Sequence, residues 1–230
     1  MAMIADNLAN IQERIAAAAA RVGRSPEDVR IVAAAKGQGT RKIAEAVAAG
    51  IRIIGHNYLQ EAEREKPETG AVAVEFHMIG HLQRNKAGKA VNLFDLVQTV
   101  DDARLAEDLD RRAAAEGRII GVMIQVNLSR EPQKSGIDES EVEKLAEAIR
   151  NHQWLTLRGL MTMPPFFDEP ERARPYFARL RELRDRLIAS GKLTAEMCEL
   201  SMGMTGDFEV AVEEGATLVR IGTALFGPRV

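Results

Sequence analysis

The chain has 230 residues, 46% of them hydrophobic and 28% charged, with a net charge of −3 and a single cysteine, Cys198. At about 150 residues per domain, this length allows one large domain or two small ones, with enough apolar residues to bury a core unaided. One cysteine excludes an internal disulfide and fits a reducing compartment. The slight acidity supplies no broad electrostatic pull toward nucleic acid.

The Ala-rich run from Ile15 to Ala20 follows Asp6, Glu13 and Arg14 and stops at Arg21. Six apolar residues are too few for a signal core or a membrane span. The run reads as part of an amphipathic helix, and the protein as cytoplasmic with no membrane partner.

Beyond it, short Val- and Ile-rich runs alternate with longer segments of helical spacing. Strands are expected at Ile31–Ala35, Ile51–Ile54, Val74–Ile79, Leu96–Val100, Ile120–Val126, Leu155–Met161, Glu199–Ser201 and Thr217–Ile221. Between them, helices are expected at Thr40–Ala49, from near Asn57, and at Gln83–Asn92, Asp102–Glu116, Glu139–Arg150, Glu171–Ala189 and Phe208–Glu214, with a last one from Ala224. Thr40 reads as an N-cap and Gly50 as a C-terminal stop. Eight strands, each followed by a helix, predict a parallel sheet closed as a (β/α)8 TIM-like barrel, with one extra N-terminal helix. An open doubly wound sheet is the alternative, but no GxGxxG follows the first strand. No Pro/Ser/Gly-rich linker divides the chain, so residues 1–230 read as one domain.

In such a barrel the active face is built from residues just after each strand. Here these are Lys36, Gly55-His56-Asn57, Gly80-His81, Asn127, Met161–Pro165, Ser201–Thr205 and Gly222-Thr223, with His77 and Arg220 inside their strands. Ser201, Gly203, Gly222 and Thr223 form two small-residue turns after the last two strands, where barrels commonly bind phosphate at helix N-termini. The same turns also read simply as links from strand to helix. Lys36 reads either as a strand-end lysine snorkelling to solvent or as an amine that forms a Schiff base with an aldehyde. Arg220, in Leu-Val-Arg-Ile-Gly, needs a partner. That partner is either an inward carboxylate or an acceptor on a bound ligand. His77 and His81 are spaced four apart, but Phe-His-Met-Ile-Gly reads as a strand rather than a zinc-binding helix and no second ligand set appears, which argues against a metal. Gln83–Lys89 lacks P-loop spacing. Cys198 reads as core.

The segments Ala34-Ala-Lys36, Gly55-His-Asn-Tyr-Leu-Gln-Glu61, His77-Met-Ile-Gly-His-Leu-Gln-Arg-Asn-Lys86, Gln125-Val-Asn-Leu128, Lys134-Ser-Gly136 and Arg158-Gly-Leu-Met161 occur in that order. Leu200-Ser-Met-Gly-Met-Thr-Gly-Asp207 and Val219-Arg-Ile-Gly-Thr-Ala-Leu-Phe-Gly227 follow. Together they make the chain resemble the pyridoxal phosphate homeostasis protein family, whose barrel is similar to the N-terminal domain of alanine racemase. The resemblance implies pyridoxal 5′-phosphate (PLP) held by Lys36 as a Schiff base. It implies phosphate binding by Ser201, Gly203, Gly222 and Thr223, Arg220 facing the pyridine nitrogen, and Asn57 and His77 near or behind the ring. Ala35, Gly37 and His56 depart from the family's usual residues and bring the polarity around Lys36 into question.

A carboxylate that keeps the pyridine nitrogen protonated makes the ring a strong electron sink. An arginine cannot take that role. A racemase also needs acid–base groups on both faces of its substrate. The only tyrosines are Tyr58, entering the helix after the second strand, and Tyr176, expected to face outward from its helix. Neither reads as a second base. The resemblance therefore implies a monomeric carrier of PLP without robust turnover, acting in PLP and amino-acid homeostasis, with PLP-requiring apoenzymes as recipients. The alternatives are a PLP-dependent racemase or decarboxylase, or a phosphate-sugar barrel enzyme using Lys36 as an aldolase-type amine.

Overall fold

The computed structural model describes residues 2–65, 73–129, 131, 134–194 and 197–228. Eight parallel strands close a barrel in sequence order: β1 (Arg30–Ala34), β2 (Ile53–His56), β3 (Glu75–Met78), β4 (Leu96–Val100), β5 (Ile120–Val126), β6 (Leu155–Thr162), β7 (Glu199–Met204) and β8 (Leu218–Ile221). β1 and β8 pair directly, with Val32 beside Arg220, so the sheet has no open edge and the doubly wound alternative is excluded.

Helix α1 (Ala2–Arg21) precedes the barrel. Its buried Ile4, Leu8, Ile11 and Ile15 recur at helical spacing and form one apolar stripe. The stripe is clamped to the C-terminal part of the chain. Asn7 Nδ2 donates to the Leu225 carbonyl at 2.9 Å, and Arg14 and Arg21 pair with Glu209 and Glu213. The remaining helices are α2 (Gly39–Ala49), α3 (Leu59–Glu65), α4 (Ala87–Leu93), α5 (Ala103–Glu116), α6 (Val142–Arg150), α7 (Arg174–Ala189), α8 (Phe208–Glu213) and α9 (Thr223–Phe226). None of the described helices is long and apolar enough to cross a membrane.

Strand side chains alternate between two cores. Ala33, Ile54, Phe76, Val97, Leu200 and Val219 pack outward against the helices. Val32, Ile53, Leu96, Met123, Met161 and Leu218 fill the barrel axis. The same parity places His77, Gln98, Ser201 and Arg220 on the barrel interior. The Cα register supports this: Val32 pairs with Arg220, and His77 with Leu96.

Several boundaries move from those expected. β2 starts two residues late because the Arg52 guanidinium donates to the carbonyls of Val47 and Ile51, tying that segment to the end of α2. Gly55 and His56 therefore lie within β2. Thr40 is not an N-cap. Gly37 and Gly39 turn the chain at φ 71° and 73°, so α2 begins at Gly39 behind Gln38. Gly50 does stop α2, its N–H bonding to Ala46 and Val47. Cys198 is half-buried rather than core. Tyr176 is partly buried against the core and tilted on Phe167, not turned outward.

Candidate functional site

The polar residues gather at the C-terminal mouth of the barrel. Lys36 follows β1 with the inward parity of Val32 and Ala34, and its Nζ lies 5.1 Å from the Tyr58 ring centroid, a cation–π contact. The Gly37 N–H donates to Glu61 at 3.2 Å, which fixes the turn carrying the lysine. Asn57 follows β2 and is held from behind. A Cβ on Gly80 would lie 2.3 Å from the Asn57 carbonyl oxygen, so only glycine fits there. Thr99 anchors the same Gly80 through its carbonyl at 2.7 Å. A cavity of about 460 Å³ opens beside these residues, lined by Asn57, Tyr58, Gly80, His81, Gln83 and Lys86. A somewhat larger cleft of about 530 Å³ lies under α1, lined by Leu8, Ile15, Val29 and Ile51. It sits at the opposite end, away from the lysine and the two turns.

Arg220 is only 4% exposed. Among the described residues no carboxylate lies within ion-pair distance of its guanidinium. It donates instead to Ser201 Oγ at 2.7 Å and to the Thr162 carbonyl at 2.9 Å. Burial pushes the guanidinium down to about 10, against the more distant charge of Asp207, so it remains a cation at neutral pH. The Asp207 carboxyl is itself raised by burial, opposed by the Met204 N–H.

The two turns after β7 and β8 meet, with the Ala224 N–H donating to Thr205 Oγ1 at 3.3 Å. Met204 N–H donates to Asp207 Oδ1 at 2.6 Å and closes the first turn. Gly203 is buried at φ 88°, where an added Cβ would stand 2.5 Å from Ala211 Cβ. Gly222 and Thr223 open α9, whose last carbonyls accept from Asn7 and Lys42. Ser201 sits deeper than the turns, and its hydroxyl is engaged inside the barrel.

The eight predicted site residues thus fall into two groups at one end of the barrel. Lys36, Asn57, Gly203, Gly222 and Thr223 line the mouth, while His77, Ser201 and Arg220 form a buried polar group. One member of that group is invisible to the motif search: Gln98 on β4, fully buried, bonded to both His77 and Ser201. Its signal was a lone amide at inward parity within Leu-Val-Gln-Thr-Val. The three departures from the family pattern all lie off the barrel axis. Ala35 packs in the outer core, Gly37 is in the exposed turn, and His56 points outward to stack on Phe76 at 5.6 Å.

The family model for the alanine racemase N-terminal domain matches residues 7–230. The pyridoxal phosphate homeostasis protein of Escherichia coli K12 is 40% identical over 98% of this chain and 97% of that protein. The chain belongs to the pyridoxal phosphate homeostasis protein family. Among solved structures, PipY of Synechococcus elongatus with PLP bound is 36% identical, with a TM-score of 0.85 over 97% of this chain and all of that one. An alanine racemase from Clostridium difficile shares the fold at 14% identity, TM-score 0.78, over 99% of this chain but only 60% of the racemase.

Two consequences can be measured. Gly203→Ala should cost about 1–3 kcal/mol in urea unfolding, because it combines a positive φ with a side-chain collision. Gly206→Ala, at an open position with no neighbour within 4 Å, should stay within about 0.5 kcal/mol. His56 provides the second. Burial, aided by Arg64, holds the imidazole down to about 4, with the equally buried Glu65 carboxylate 3.4 Å from Nδ1 but out of hydrogen-bond geometry. The unfolded chain binds a proton near 6.5 that the folded chain refuses until about 4. Stability is therefore fully present above 6.5 and falls with pH toward 4, by up to about 1.4 kcal/mol per pH unit. His56→Phe should remove that slope between pH 6.5 and 5. An unchanged slope means His56 is not its source.

Proposed function

We propose that this chain binds pyridoxal 5′-phosphate at the barrel mouth, holding it on Lys36 as a Schiff base, and serves PLP and amino-acid homeostasis as a carrier rather than by robust catalytic turnover. Arg220, buried with no carboxylate in ion-pair reach among the described residues, carries this reading.

The residues present fit the cofactor. Gly203, packed where a Cβ would collide, leaves backbone bare at the turn facing Gly222 and Thr223. Backbone N–H groups and the Thr223 hydroxyl suit a phosphate dianion. Asn57 is braced at the mouth by Gly80. His77 and Ser201 act from behind, Ser201 contributing its position beside Arg220 more than a free hydroxyl. When bound, PLP supplies an electrophilic aldehyde carbon and an aromatic ring able to draw electrons from an attached amine.

Arg220 is the residue that would face the ring nitrogen; a guanidinium could donate to that atom but could not keep it protonated as a carboxylate would, so the ring would be a weak electron sink. The tyrosines support the same conclusion. Tyr58 stands beside Lys36 instead of across from it, and Tyr176 is packed on Phe167. A two-face proton exchange needs a base opposite the lysine. In this reading the protein works in the cytoplasm as a monomer, with PLP-requiring apoenzymes as recipients.

Protein loaded with PLP and treated with borohydride should carry the reduced cofactor on a single peptide containing Lys36. Lys36→Ala should lose the yellow colour and the adduct. The loaded protein should exchange amino-acid α-hydrogens in deuterated water only slowly. Colour retained in full by Lys36→Ala, or rapid exchange, contradicts the proposal.

A further inference from the structure

Five side chains form one continuous hydrogen-bonded line through the barrel: Arg220 on β8, Ser201 on β7, Gln98 on β4, and His77 and Glu75 on β3. The links are Arg220 Nη1 to Ser201 Oγ at 2.7 Å and Ser201 Oγ to Gln98 Oε1 at 2.6 Å. They continue from Gln98 Nε2 to His77 Nδ1 at 2.9 Å and from His77 Nε2 to Glu75 Oε2 at 3.1 Å. The four members from Arg220 to His77 are buried, and Glu75 ends the line at the other mouth, 3.9 Å from Arg30.

The ends fix the sense of every link. A guanidinium only donates, so the Ser201 oxygen accepts from Arg220 and its one hydroxyl proton goes to the Gln98 carbonyl. The amide must then turn its N–H to His77, whose Nδ1 must accept. The imidazole proton is left on Nε2, facing a carboxylate that only accepts. No other arrangement with a neutral His77 satisfies all four links.

We propose that Gln98 is a positioning residue for the cofactor site: it transmits a single donor-to-acceptor direction across the barrel, holding Ser201 against Arg220 and His77 in the Nε2–H form. The role of Arg220 toward a pyridine ring rests on the function proposed above; the direction of the line does not. Removing the amide strands the Ser201 hydroxyl and His77 Nδ1 in a dry interior, and frees Arg220 to turn.

The test joins imidazole nitrogen NMR with PLP titration. With four histidines in the chain, long-range ¹H–¹⁵N spectra of the cofactor-free wild type can be assigned. They should show His77 neutral with its proton on Nε2; a proton on Nδ1 overturns the proposal. Gln98→Leu should lose the single tautomer and weaken PLP binding roughly ten- to hundredfold. Gln98→Glu keeps the size and the acceptor but replaces the donor with a carboxylate, and should draw a proton onto His77 Nδ1. Wild-type tautomer and affinity in both variants overturn the proposal. If Gln98→Leu fails to fold, the wild-type and Gln98→Glu spectra decide. If wild type does not take PLP on Lys36, the proposed function fails, and the tautomer and its response to Gln98→Glu still judge the line.

Discussion

A cation buried in a barrel, with no carboxylate in ion-pair reach among the described residues, is the constraint around which this molecule is arranged. Removing a guanidinium from water is costly, and ordinarily a carboxylate offsets the cost. Arg220 has a serine hydroxyl and a backbone carbonyl instead, with Asp207 acting only from a distance. Its charge is thus balanced by neutral oxygens close by and by Asp207 from further off. The apolar plug of Val32, Ile53, Leu96, Met123, Met161 and Leu218 seals one side. The mouth is the side left for an acceptor to arrive. Under the proposed function, a site built this way would hold an electron-rich ring atom and protonate it poorly.

Closed-barrel geometry supplies the rest. Because β1 pairs with β8, the lysine that follows β1 stands next to the turn that follows β8, although some 190 residues separate them in sequence. Alternation along each strand then decides which side chains reach the axis. Ala35 and His56, each one step out of phase, face the helices and leave the polarity inside the barrel untouched. The α1 clamp on α9 steadies the last turn through Asn7, so the N-terminal helix contributes to the site without touching it. The larger racemase of the same fold has further chain that this sequence does not match, and Tyr58 here stands beside Lys36.

Much of this is legible in the sequence, for physical reasons. Strands buried on both faces read as Val/Ile runs, and two Gly-containing turns follow the last strands, where barrels commonly bind phosphate. The boundary of β2 is not legible, because Ile51-Arg52-Ile-Ile54 looks continuous until the guanidinium is seen capping α2. The neutral partners of Arg220 are hidden too. Gln98 and Ser201 are 103 residues apart, and a single amide in an apolar strand carries no local motif. Sequence shows that an inward charge needs an acceptor. Only the closed sheet shows which one.

The protonation state of the cofactor's ring nitrogen tests the central claim most directly. PLP labelled with ¹⁵N in its ring, bound to the wild-type chain at neutral pH, should resonate as an unprotonated pyridine nitrogen and shift when Arg220 is replaced by glutamate. A pyridinium signal in the wild type would contradict the account, because a protonated nitrogen cannot sit against a permanent cation.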